Sequence, residues 1–137
     1  MVINVTGPRG GKVSEDLASM VIDATQNFLK QLGIDRLKLD LTIRMHHSSL
    51  VDSEAEGYCD AETNRKFVID VCLYSNWLRI LAHELVHVRQ FARKQLKLDG
   101  FTWMHKRYSD EVEYLNQPWE KEAFALQNKL VHVYENP

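Results

Sequence analysis

Two histidines and a glutamate in "LAHELVHVRQ", residues 81–90, are the part of this sequence best equipped for chemistry. On a helix, at about 100 degrees per residue, His83 and His87 project from one face a turn apart, so both imidazoles can coordinate one ion. Glu84 lies beside that row, where its carboxylate reaches an activated water rather than the ion, the position of a general base. The pattern is short, and a histidine on an apolar helix is also an ordinary packed residue, so the surrounding elements must decide between the two.

A catalytic zinc takes three protein ligands and keeps one position open. The third ligand is expected from "PWEKEAFALQNKLVHVY", a helix started by Pro118, in which Trp119, Glu122, Ala123, Leu126 and Leu130 make the apolar row. A carboxylate on a buried face needs a partner, which selects Glu122. Glu120, about 200 degrees away around the helix, is expected to face solvent.

The elements that must hold these residues are readable in outline. Ser14 caps a first helix with Glu15 and Asp16 in its first turn; Leu17, Met20, Val21, Ala24, Phe28 and Leu32 recur at helical spacing, and Gly33 ends it. "RLKLDLTIRM" alternates strictly, with Leu37, Leu39, Leu41, Ile43 and Met45 on one face of a strand. A short strand near Tyr58, a turn at residues 60–64 and a strand from Lys66 to Leu73 follow, so a small, mainly antiparallel sheet is expected. The helix of the opening motif runs from Asn76 to about Leu96, and residues 98–117 form a turn-rich, aromatic excursion. The expected fold class is α+β: a small sheet packed against an N-terminal helix and the His-Glu helix, followed by a C-terminal helix, all in a single domain over 1–137.

Composition narrows the partners. With 17 basic and 19 acidic residues interspersed, the chain has no nucleic-acid stripe. No apolar run resembles a signal peptide or a membrane span, so the expected location is the cytoplasm. Cys59 and Cys72, without CxxC spacing, read as packed thiols, and His46-His47 reads as a turn rather than a second metal site. "RKQLK" with Arg89 and Arg93 suits the C-terminal end of a helix dipole.

"HELVH" followed downstream by "PWEKEA" resembles the zincin metallopeptidases, and within them the gluzincins, whose third zinc ligand is a glutamate on the helix after the active-site helix. Over residues 66–126 the chain is most similar to the minimal single-domain zincins of bacteriophages. The resemblance implies a zinc-dependent peptidase with one zinc ion on His83, His87 and Glu122, Glu84 as base, and a peptide or protein as substrate. The alternative is a zincin-fold protein of weak or no activity with a binding or regulatory role. The thermolysin-like pattern continues with Ser-Asp where this chain has Phe124-Ala125, so acidic support for the ligands would come from Asp70 or Asp110. His105 is a rival third ligand, as in SprT-like zincins. Tyr108, Tyr114 and His105 are the candidates for stabilising an oxyanion, and the strand near Gly57 and Tyr58 could pair with an extended peptide.

Overall fold

A computed structural model describes residues 1–47 and 55–137. Ten elements follow one another: β1 (Val2–Thr6), α1 (Glu15–Gln31), β2 (Asp40–His46), β3 (Gly57–Ala61), β4 (Lys66–Cys72), α2 (Trp77–Ala92), β5 (Thr102–Trp103), β6 (Lys106–Arg107), a 3-10 turn (Tyr114–Asn116) and α3 (Pro118–Glu135). The arrangement is α+β, with a mixed four-stranded sheet and a separate two-stranded hairpin.

The strand order is β1-β2-β4-β3. β1 with β2 and β2 with β4 run parallel, and β3 alone pairs antiparallel, so the expectation of a mainly antiparallel sheet is corrected. Two features make it so: β4, not its hairpin partner β3, takes the place beside β2, and the N-terminal "VINVT" adds a second parallel neighbour. Its neighbour β2 is reached through the crossover helix α1, because parallel neighbours cannot be joined by a tight turn.

α1 begins and ends as its residues dictate. The Ser14 hydroxyl oxygen accepts from Leu17 N–H at 3.1 Å. Gly33, at φ 73°, allows Gly33 N–H to reach Lys30 C=O and Ile34 N–H to reach Leu29 C=O, a Schellman ending. α1 then packs on β1, α2 and α3, burying Val21, Ala24, Phe28 and Leu29 in one core with Leu41, Ile43, Met45, Phe67, Ile69 and Val71 of the sheet. α2 is covered by β3, β4, α1 and α3, which explains why it is buried nearly all round. Its last carbonyls are held from the β3–β4 turn: Asn64 Nδ2 donates to Phe91 O at 2.9 Å and Arg65 Nη1 to Ala92 O at 2.7 Å.

Strand alternation sends Asp70 to the sheet face opposite Ile69 and Val71. There its carboxylate accepts from Arg44 Nε at 2.7 Å, Arg44 Nη2 at 2.9 Å and His46 Nε2 at 2.7 Å. Burial pushes the Asp70 carboxyl upward, but the hydrogen bonds from Arg44 and His46 outweigh it and hold it below the ordinary value. A carboxyl depressed in the folded state stabilises the fold above its unfolded value of about 3.9, and that contribution is lost as pH falls through the folded value. Asp70→Asn is therefore expected to cost about 1–2 kcal/mol at pH 7, the smaller end of the range because Arg44 is partly exposed. Urea unfolding from pH 6 to 2.5 checks this: below about pH 4 the gap between wild type and variant should narrow.

Candidate functional site

α2 and α3 bring together three ligand atoms. His83 Nε2 lies 2.9 Å and His87 Nε2 3.0 Å from the same oxygen, Glu120 Oε1. The two imidazoles stand edge to face with centroids 5.0 Å apart, as residues one helical turn apart can. All three residues are buried, and the group can hold a metal ion.

The predicted third ligand is corrected. Glu122 is turned away from the histidines and accepts from Gln90 Nε2 at 3.1 Å, with Arg89 Nη2 at 3.5 Å. Glu120, expected in solvent, is 8% exposed. The buried row of α3 is Trp119, Ala123 and Leu130, and both glutamates flank it. Both flanks touch α2, and the one that reaches His83 and His87 is made by Glu120, Phe124 and Gln127, spaced four and three apart. Phe124 packs edge-on against His83 with centroids 4.6 Å apart, and Gln127 bonds the same ring. Those two residues were the available sequence signal, since they repeat Glu120's face.

The outer ring nitrogens are occupied by glutamines, which sequence reasoning missed. His83 Nδ1 lies 2.8 Å from Gln127 Oε1 and His87 Nδ1 2.7 Å from Gln90 Oε1. Gln90 has no choice of orientation, because its Nε2 donates to Trp119 O at 3.0 Å and to Glu122 Oε1 at 3.1 Å. Its carbonyl oxygen must therefore accept from His87 Nδ1–H. A neutral His87 then presents a lone pair at Nε2 toward Glu120. Two imidazole nitrogens and a carboxylate oxygen converging this way attract a cation, and nitrogen-plus-carboxylate sets suit zinc and related divalent ions.

With no ion between them, a charged His87 instead donates Nε2–H to the ionised Glu120. Burial works against an ionised Glu120, yet the hydrogen bonds from His83 and His87 hold its carboxyl down to about 2. Burial also works against a charged His87, but the bond to Glu120 and the nearby Glu84 raise it to about 9. Glu84 is pushed up, by burial first, with the two histidines pulling the other way. Among the described residues its carboxylate makes no hydrogen bond, and it faces the same cleft as the three ligands.

That cleft, about 830 Å³, runs between the β3 edge and the α2–α3 pair, and Leu96 and Phe101 line its other end. Gly57 sets the approach of β3 to α2: a Cβ there would meet Ile80 Cγ2 at 2.6 Å and Glu84 Oε2 at 3.0 Å. Gly57→Ala must displace Glu84 or Ile80. A stability cost of about 1–3 kcal/mol is expected from the overpacking, with any turnover that depends on Glu84 lowered about tenfold or more. Thermal unfolding beside a turnover assay separates the two effects.

The remaining candidates sort by position. Cys59 lines the cleft, and burial and the charges of Glu84, Asp60 and Glu120 push its thiol well up, which favours the protonated form. No disulfide joins Cys59 and Cys72. Tyr114 also lines the cleft, its hydroxyl raised by burial first and by the nearby charges of Glu120 and Glu84. Tyr108 instead packs on Trp119 at 5.7 Å, and His105 is exposed at the β5–β6 turn with φ 72°, so neither borders the cleft and His105 is no rival ligand. Asp70 faces Arg44 and His46, and Asp110 is exposed, so neither supports the ligands. Among the described residues, no helix is long and apolar enough to cross a membrane. No protein-family model, curated protein or solved structure matches the chain.

Proposed function

We propose that the protein is a zinc-dependent peptidase of zincin type, with the ion on His83, His87 and Glu120 and with Glu84 as general base. The observation that carries this reading is the convergence of His83 Nε2 and His87 Nε2 on Glu120 Oε1 beside a buried Glu84 that makes no hydrogen bond among the described residues. A purely structural metal site has no use for that second carboxylate. When bound, zinc supplies Lewis acidity, polarising a carbonyl and acidifying a water.

The chain's own residues divide the remaining work. Glu84, its proton affinity raised by burial, takes the proton of the attacking water and delivers it to the departing amine. Tyr114 stays protonated and donates toward the oxygen on which charge develops, the only one of the three earlier candidates on the cleft wall. The β3 edge, with Tyr58 exposed beside Gly57, offers backbone groups to an extended peptide alongside the catalytic residues.

Metal analysis with a cleavage assay tests this reading. Protein purified without chelator is expected to carry about one equivalent of zinc. It should cleave members of a mixed peptide library, lose that activity on chelation and regain it with zinc. A chain holding well under half an equivalent, or cleaving equally well after chelation, would overturn it.

A further inference from the structure

Gln90 and Gln127 do work that neither packing nor the ligand set requires. Gln90 is fully buried inside α2, three residues after His87 and on the same side, where an aliphatic side chain would fill the space more cheaply than an amide needing three partners. All of its partners are supplied: Trp119 O and Glu122 Oε1 accept from its nitrogen, and His87 Nδ1 donates to its oxygen. Gln127, on the facing helix, likewise places its Oε1 2.8 Å from His83 Nδ1.

Resting on the reading of His83, His87 and Glu120 as the metal ligands, we propose that Gln90 and Gln127 are positioning residues. Their neutral amide oxygens fix the Nδ1–H tautomer of both ligand imidazoles, and Glu122 acts through Gln90. The tautomer matters because an imidazole protonated at Nε2 has no lone pair to offer the ion. An amide turned the other way would donate to Nδ1 and select that inert tautomer. Trp119 O and Glu122 prevent the turn at Gln90.

The choice of amide over carboxylate also has a consequence. The buried cluster already holds two carboxylates, Glu84 and Glu120, whose charges a divalent ion cancels if the histidines are neutral. A carboxylate behind either ring would leave the cluster net negative. It would make the imidazole a stronger donor, so the metal would bind more tightly and be less electrophilic. The amides orient the rings without that charge.

Zinc affinity of the full chain, measured by competition with a chromophoric chelator, and the visible spectrum of the cobalt-substituted protein test the proposal. Gln127 is only partly buried, so its variants spare the core. Gln127→Met should weaken zinc binding about 10- to 100-fold and change the cobalt bands, whereas Gln127→Glu should tighten it severalfold. Gln90→Met should weaken binding in the same range, and thermal unfolding of the metal-free protein reports separately what that change costs the fold. A merely structural role would lower stability and leave affinity and spectrum alone. Zinc affinities within twofold of wild type for both Gln127 variants, with an unchanged cobalt spectrum, would overturn the positioning role and leave the metal site standing. A wild-type chain that takes up neither zinc nor cobalt would overturn both.

Discussion

Glu84→Gln is expected to keep its zinc and lose about 10²- to 10⁴-fold in peptide cleavage, the range that a positioned general base supplies. The substitution is nearly isosteric and Glu84 is not among the converging ligand atoms, so the metal content should not change. Its environment adds a second expectation. Burial raises the Glu84 carboxyl while His83 and His87 moderate the rise, so in the wild type the basic form is lost as pH falls toward that raised value. In the metal-free protein that carboxyl should therefore titrate at a higher pH than an exposed glutamate, a signal that Glu84→Gln abolishes. Removing a buried charge does not have to destabilise the chain, and a neutral amide at position 84 is expected to leave thermal stability equal or higher. Full activity in a zinc-loaded Gln variant would remove Glu84 from the mechanism while leaving the metal site in place.

What could be read from the residues, and what could not, follows the range of the interactions involved. The α1 cap at Ser14, its end at Gly33 and the Pro118 start of α3 depend on a few neighbouring residues, and each is found where its residues predict. The His83–His87 pairing is local in the same sense, since one helical turn guarantees it. Strand direction is not local. "VINVT" offers only Ile3 and Val5 as inward residues, and whether it adds a strand beside Leu41 and Ile43 depends on how α1 crosses the sheet. The choice between Glu120 and Glu122 is of this second kind as well. Helical periodicity finds the buried row through Trp119 and Ala123, but which flank of that row meets His83 and His87 is decided by how α2 crosses it. Gln90 gave a clear sign that could have been used: a glutamine within the apolar stretch of α2 is a buried polar group in need of partners.

Glu120→Gln and Glu122→Gln, changes of the same size two residues apart, should have opposite outcomes. At position 120 the amide replaces the only negatively charged ligand. Both imidazoles lose the carboxylate on which they converge at 2.9 and 3.0 Å, and Glu84, the other carboxylate in the cleft, is not among the converging ligand atoms. Structural zinc binding of about 10–16 kcal/mol shared over four ligands puts one ligand near 3 kcal/mol, so zinc affinity should fall about a hundredfold or more. Cleavage should fall with it. At position 122 the substituted amide still has an oxygen to accept from Gln90 Nε2, and Trp119 O holds Gln90 in place regardless. Only the long contact with Arg89, 3.5 Å and partly exposed, is weakened, a loss of about 0–1 kcal/mol. Glu122→Gln should thus bind zinc within a few-fold of wild type. The reverse result, with position 122 critical and 120 silent, would mean that α3 is rotated in solution by about 160 degrees about its axis relative to α2, taking Trp119 and Ala123 out of the core. Such a rotation would expose the largest apolar side chain of the helix, so the loss of zinc at position 120 is the outcome that packing demands.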